Sequence, residues 1–277
     1  MPIDQWCQAL LDDLFANRLY PTGLEFTRIQ GFPETTGTIL LIPGEYHTGS
    51  YNRISENLAQ YEWVLAIRTS DERDQFDPDR IYHPNIRWWV QTPRTDSHHD
   101  AYSLPFGYTP HTSSVDVAAD KHLDVFLSGQ VNHHRRTQCF EQLTESATRV
   151  IRKTDGFTAG LEREQYVDFM RYAKVAPCPA GVFSPDSFRV WEALQAHTIP
   201  IVDDLSPQYD SMGYWDRFHP DAPFPVITDW STLPELIEQT LRDWPANANR
   251  ITAWWIQQKR AIAHRLVSDL RELGAIA

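Results

Sequence analysis

The chain has 277 residues, of which 42% are hydrophobic, enough for a substantial core, and this length favours two domains. Its formal net charge of −12 argues against a protein that holds a polynucleotide mainly through phosphate contacts, since that mode requires clustered lysine and arginine. The three cysteines, Cys7, Cys139 and Cys178, have the spacing of neither a disulfide framework nor a zinc site, so a reducing, cytoplasmic location is expected.

The first residues, 1–15, predict an amphipathic helix that carries Asp4, Asp12 and Asp13. They lack the basic start and the apolar run of a signal peptide. No stretch of the sequence is apolar for long enough to cross a bilayer. The sequence therefore predicts a protein without a membrane span.

Short apolar runs alternate with helical patterns along the chain, which favours an α/β fold with parallel sheets. In the first half, strands are predicted at residues 37–43, 63–67 and 86–90, and a helix at residues 51–60. In the second half, strands are predicted at residues 123–128, 174–177 and 199–202. The helices predicted there lie at residues 135–147, 164–172, 184–197, 232–244 and 249–273.

The segment YSLPFGYTPH, residues 102–111, is rich in proline, glycine and aromatic residues. This composition is typical of an ordered connection between domains. We therefore predict an N-terminal domain of residues 1–110 and a C-terminal domain of residues 111–277, two β/α domains with a cleft between them. The terminal helix is a candidate to cross back to the first domain.

The most informative segment of the sequence is residues 176–204. Within it, Ser184 is a residue type that favours the N-cap of a helix, and Pro185 suits the first helical position. On this interpretation the amides of Asp186, Ser187 and Phe188 point out of the helix start, a geometry that suits a diphosphate.

Arg189 and Glu192 are three residues apart on the same predicted helix and so share a face. There a cation can meet a phosphate, and a carboxylate can accept hydrogen bonds from ribose hydroxyls. Alternatively, the two side chains form an ordinary surface ion pair, which stabilises little.

The segment SPDSFRVWEALQAHTIPIV resembles the signature of exostosin-like glycosyltransferases, which have the GT-B fold of two Rossmann-like domains facing a cleft. The likeness extends mainly over residues 124–204. It implies that residues 184–189 contact the diphosphate of a nucleotide-sugar donor and that Glu192 binds the ribose. It also implies a glycine after the strand at residues 123–128, here Gly129.

In related GT-B enzymes a basic residue near the start of the next helix neutralises the diphosphate leaving group. Arg135 and Arg136 both fit this role, and the sequence does not distinguish between them. A solvated basic patch is the alternative interpretation.

In an inverting GT-B enzyme a carboxylate or histidine of the N-terminal domain deprotonates the acceptor hydroxyl. The candidates, in order of preference, are Asp71, Glu45 and Glu72, on loops that follow predicted strands. For any single one of them, an exposed loop charge or a helix cap is the more common role of such a residue. Weaker candidates are His47, His98, His99 and Asp100.

A metal-dependent enzyme of the GT-A class requires an Asp-x-Asp motif after a strand. Asp77-Pro78-Asp79 has this pattern, but its proline favours a turn, and we interpret it as structural. We interpret Asp203-Asp204 as closing a strand and shaping the sugar pocket. No metal is expected, and no cofactor beyond the nucleotide-sugar co-substrate. Of each tryptophan pair, Trp88-Trp89 and Trp254-Trp255, at least one member is expected in the core.

The sequence thus predicts a metal-independent, inverting transfer of a sugar from a nucleoside diphosphate, preferably UDP, to an acceptor hydroxyl. The acceptor is a glycan or, less favoured, a hydroxymethylated base in phage DNA. Animal exostosins carry a membrane anchor that is not seen here, which favours a bacterial or phage context. The alternatives are a non-catalytic module that binds a nucleotide-sugar or glycan, and a GT-B-like nucleotide-sugar epimerase.

Overall fold

The computed structural model describes residues 4–15, 26–28, 36–43, 51–69, 73, 76–93, 101–113, 120–156 and 159–276. The chain divides into two compact units, the first formed by Met1–Phe106 with Gln258–Ala277 and the second by Gly107–Gln257. Each unit contains a five-stranded sheet whose paired strands are parallel. The predicted α/β class with parallel sheets is confirmed, and both units are Rossmann-like.

The first sheet contains its strands in chain order: β1 (Phe26–Arg28), β2 (Gly37–Pro43), β3 (Trp63–Thr69), β4 (Ile86–Gln91) and β5 (Ala101–Leu104). Helix α1 (Asp4–Phe15) precedes the sheet, and helix α2 (Tyr51–Leu58) connects β2 to β3. The three strands and two helices predicted in this part of the chain are confirmed. The short strands β1 and β5 were not predicted.

The two faces of the first sheet pack against different elements, because successive strand residues point to opposite sides. Trp88 packs on one face with a cluster that includes Tyr51 of α2. Trp89 points to the other side, where its indole Nε1 donates to Asp269 Oδ2 at 2.8 Å. Asp269 belongs to the last helix of the chain, so the C-terminal residues complete the core of the first unit.

The second sheet is formed by β6 (Leu123–Gln130), β7 (Arg149–Thr154), β8 (Ala173–Cys178), β9 (Ile199–Asp203) and β10 (Val226–Ile227). Their order across the sheet is β7, β6, β8, β9, β10. The chain therefore moves outwards from β6 to β7 and returns to the other side of β6 at β8. This reversal creates a topological switch point between the carboxyl ends of β6 and β8, the place where open α/β sheets bind ligands.

Seven helices are described from residue 107 onwards: α3 (Pro110–Ser113), α4 (His134–Glu141), α5 (Arg163–Tyr172), α6 (Phe188–Gln195), α7 (Tyr214–Phe218), α8 (Leu233–Arg242) and α9 (Trp244–Glu272). The prediction for residues 135–147 was wrong at its end, because α4 stops at Glu141. The Thr148 amide then donates to Ser146 Oγ at 3.3 Å. Such local side-chain hydrogen bonds compete with the helix.

Helix α9 contributes to both units, since their division falls between Gln257 and Gln258. All members of the pairs Trp88-Trp89 and Trp254-Trp255 are buried, which confirms the prediction that at least one of each pair lies in the core. None of the helices in the described ranges has the length and apolar composition needed to cross a membrane.

An aromatic cluster buries His219 in the second unit. The ring centroids of Trp191 and Trp215 lie 5.0 and 5.6 Å from that of His219, and burial lowers the pKa of His219 to about 3. The unfolded chain binds a proton at this position near pH ~6.5. Keeping His219 uncharged in the folded state therefore costs no free energy above that pH. Below it, the free energy of unfolding decreases as the pH falls towards 3.

The second unit is accordingly expected to lose stability on mild acidification. At pH ~5, His219 should lower the free energy of unfolding by about 2 kcal/mol. His219→Phe keeps a ring in the cluster. Its free energy of unfolding, measured by denaturation from neutral pH to pH ~5, should decrease less than that of the wild type, by about the contribution of His219. The exposed His264 provides the control His264→Phe. An identical pH slope in His219→Phe and the wild type would contradict the assignment.

Candidate functional site

The candidate site lies at the switch point of the second sheet. Ser128 and Gly129 are at the carboxyl end of β6, and Cys178 ends β8. Helix α4 begins shortly after β6, and α6 follows the loop after β8. Most of the residues predicted to bind the donor belong to these two helices or to the segments that lead into them.

The start of α6 differs from its prediction. The helix begins at Phe188, with Ser187 in extended conformation at the N-cap, and Ser184 and Pro185 precede it. The hydroxyl of Ser184 accepts the Asp186 amide at 3.1 Å, a local turn that satisfies this N–H before the helix starts. The amide of Asp186 is therefore not one of the helix-start donors, contrary to our prediction.

The side chain of Asp186 points into the fold. Its Oδ1 accepts from Trp191 Nε1 at 2.6 Å, and both Ser184 and Asp186 are buried. This bond attaches the loop after β8 to α6. The half-buried Phe188 is the first residue of the helix.

Arg189 lies against the end of β6. Its guanidinium donates to the Ser128 carbonyl, and a Cβ atom at Gly129 would lie 2.4 Å from one of its terminal nitrogens. A side chain at position 129 would force this guanidinium to shift. Within the described part of the chain, Arg189 Nε and Ser187 Oγ are buried without a hydrogen-bond partner. A cation and a hydroxyl with unused donors thus lie at the start of α6.

The two arginines of α4 have different partners. Arg135 is buried and pairs with Asp203 at the end of β9, where Nε lies 3.0 and 2.8 Å from the two carboxylate oxygens. Arg136 instead donates through Nε to the Ala180 carbonyl at 3.0 Å and through a terminal nitrogen to the Gln130 carbonyl at 3.4 Å. Gln130 is the last residue of β6, and Ala180 lies two residues after the end of β8. Arg136 therefore lies at the candidate site, whereas Arg135 is held by its ion pair with Asp203.

His133, the N-cap residue of α4, reaches the same carbonyl, with Nε2 3.1 Å from Ala180 O. Burial, together with the charge of Arg136, lowers the pKa of His133 to about 4. The imidazole is therefore neutral at physiological pH, with the Nε2 proton directed at Ala180.

Glu192 is only 5% exposed and has defined partners. Its Oε2 accepts from the Tyr166 hydroxyl of α5 at 2.8 Å, and the backbone N–H of Thr109 also donates to the carboxylate. Burial raises the pKa of Glu192, although Tyr166, Arg189 and Thr109 oppose this shift. The alternative of a loose surface ion pair with Arg189 does not describe this carboxylate.

The two acidic motifs are both part of the fold. Asp77 caps a 3-10 helix at Pro78–Arg80, and its Oδ1 accepts from the Asp79 amide at 3.0 Å, which confirms a structural turn. Asp203 ends β9, which confirms that part of its prediction, and Asp204 accepts from the Gly213 amide. The proposed bases Asp71, Glu45 and Glu72 lie outside the described residues, as do His47, His98, His99 and Asp100.

Residues 158–273 match the family model of the RXYLT1 C-terminal domain. The predicted exostosin-like family is confirmed. This exostosin-like region contains Ser187, Arg189 and Glu192, and the match indicates glycosyltransferase activity in general terms. Gly129, Arg135 and Arg136 precede it. A comparison with curated proteins finds no significant match.

Sequence reasoning missed two residues of the candidate site: Tyr166 within the exostosin-like region and His133 before it. Tyr166, the partner of Glu192, lies in a correctly predicted helix, but its distance of 26 positions from Glu192 leaves no local signal. His133, at the N-cap of α4, lies two positions before Arg135 in the sequence. Its uncharged state depends on burial, which the residue pattern does not reveal.

Proposed function

We propose that the protein is a metal-independent, inverting GT-B glycosyltransferase that transfers a sugar from a UDP-sugar to a glycan hydroxyl. The observation that carries the proposal is Arg189, held against Ser128 and Gly129 at the switch point, with Nε unused by the described residues. The family match supports the reaction class. The arginine supports an anionic donor, since guanidinium groups suit phosphate oxygens.

The diphosphate of the donor binds, on this proposal, beside Arg189, Arg136 and the first turn of α6. Positive charge and helix-start dipoles stabilise the negative charge that develops on a departing UDP. The loop residues Ser184 and Asp186 hold that helix start in place, and Ser187 and Phe188 border the phosphates.

The chemical step breaks the bond between the anomeric carbon and the diphosphate oxygen and forms a bond to the acceptor oxygen from the opposite face. The acceptor proton passes to a carboxylate, with Asp71 as first candidate and Glu45 and Glu72 next. The net charge of −12 favours a glycan acceptor over a hydroxymethylated DNA base, because DNA binding is dominated by its phosphates.

Transfer is expected to persist in excess EDTA, because arginines and helix amides take the place of a divalent cation at the diphosphate. The measurement is release of UDP and labelled product from a panel of radiolabelled UDP-sugars with oligosaccharide acceptors. Activity that EDTA abolishes and Mn²⁺ restores would contradict metal independence. Conversion of the donor sugar without an acceptor would identify an epimerase, and tight UDP binding without turnover would identify a binding module.

A further inference from the structure

Tyr166 is the residue best placed to control the orientation of Glu192. Its ring packs edge-on against Phe126 of β6, with ring centroids 5.3 Å apart, and Phe126 is completely buried. The ring position of Tyr166 is thus determined by the sheet. Burial, followed by the neighbouring charge of Glu192, raises the pKa of Tyr166 well above its ordinary value. The hydroxyl therefore stays protonated and donates a hydrogen bond to Glu192 Oε2.

Glu192 retains hydrogen-bonding capacity after these contacts. A carboxylate has about four lone-pair sites, and the donors described for Glu192 are the Tyr166 hydroxyl and the Thr109 amide. The remaining capacity equals what a pair of vicinal hydroxyls can use. The two fixed donors approach from α5 and from the segment before α3, so they restrict the rotation of the carboxylate about its last side-chain bond.

We propose that Tyr166 is a positioning residue that holds Glu192 in the orientation needed to bind the ribose diol, and that it thereby sets the preference for ribonucleotides over deoxyribonucleotides. This inference rests on the proposed function, because it assumes a nucleoside diphosphate at the site. It adds a residue outside the helix that carries Arg189 and Glu192. It also assigns a selectivity to that residue.

The test measures the dissociation constants of UDP and 2′-deoxy-UDP by calorimetry for the wild type, Tyr166→Phe, Glu192→Gln and the double variant. Tyr166→Phe should weaken UDP binding roughly tenfold, as expected for the loss of one hydrogen bond to a charged group, and change 2′-deoxy-UDP binding little. In the Glu192→Gln background the same substitution should have no further effect. Non-additivity of this kind identifies residues that act through one another.

Two further variants separate positioning from general damage. Tyr172→Phe removes another hydroxyl of α5, on a ring that contacts His122 rather than Glu192, and should leave both constants unchanged. Tyr166→His supplies a ring N–H donor and should restore part of the ribose preference, which also tests the inference if Tyr166→Phe folds poorly.

An equal loss of UDP and 2′-deoxy-UDP affinity in Tyr166→Phe, or full additivity with Glu192→Gln, would overturn the inference and leave the proposed function intact. A wild-type protein that binds neither nucleotide would overturn both.

Discussion

Arg189→Gln is expected to reduce the rate of sugar transfer by ~100–1,000-fold, the loss typical of removing one group that stabilises developing negative charge in an active site. The guanidinium lies at the end of β6 with a nitrogen donor unused by the described residues. Glutamine keeps a polar side chain but removes the charge that the departing diphosphate requires. The measurement is the turnover of a saturating labelled UDP-sugar by the folded variant.

Gly129→Ala is a second test of the same site, because it keeps Arg189 and changes only the space that its side chain occupies. The added Cβ would lie 2.4 Å from an Arg189 nitrogen, so the side chain must move, and turnover should fall in the same direction. Arg152→Gln removes a partly exposed arginine that pairs with Glu145 on the surface and serves as the charge control. Near-normal turnover in a folded Arg189→Gln would remove Arg189 from the donor site.

Asp203→Ala should lower the free energy of unfolding by about 3–5 kcal/mol, because it leaves the buried guanidinium of Arg135 without its counter-ion. The same carboxylate also accepts from Trp230 Nε1 at 3.0 Å and from the Leu205 amide at 3.2 Å. Burial raises the pKa of Asp203, while Arg135, Trp230 and Leu205 act to lower it. Urea denaturation of the variant and wild type measures the difference.

A double substitution tests the reason for this loss. Arg135→Met with Asp203→Leu replaces the buried pair by apolar side chains and should be less destabilising than the sum of the single changes. Glu145→Ala, which breaks an exposed pair with Arg152, should cost less than about 1 kcal/mol. A loss of similar size in Glu145→Ala and Asp203→Ala would show that burial of the Arg135–Asp203 pair is not decisive.

The long central strands were predictable because parallel strands covered on both faces are continuous apolar runs. Strand β7, with the sequence RVIRKT, was missed because it has only two strongly apolar residues and an exposed lysine. Strands β1 and β5 contain only 3 and 4 residues, too few for a periodic pattern. The start of α6 was misplaced because Ser-Pro satisfies the rules for a helix start as well as those for a turn.

The candidate site was predictable as a segment but not atom by atom. Arg135 and Arg136 are adjacent on a helix, where successive side chains point about 100° apart. Which of them turns inwards depends on Asp203, 68 positions away. The hydrogen bond from Tyr166 to Glu192 was not predictable for the same reason, because the two residues are 26 positions apart. The assignments of Asp71, Glu45 and Glu72 stay predictions, since those residues lie outside the described ranges.

The discontinuous first unit has a consequence for the order of folding during synthesis. Its core needs residues from Gln258–Ala277, including Asp269, which binds Trp89 across 180 positions. Domains usually form in the order in which they leave the ribosome. Here the second unit, Gly107–Gln257, is complete before the first unit, which must wait until Gln258–Ala277 emerge. During that interval Trp89 lacks its partner Asp269, and transiently exposed apolar surface makes such incomplete units prone to aggregation.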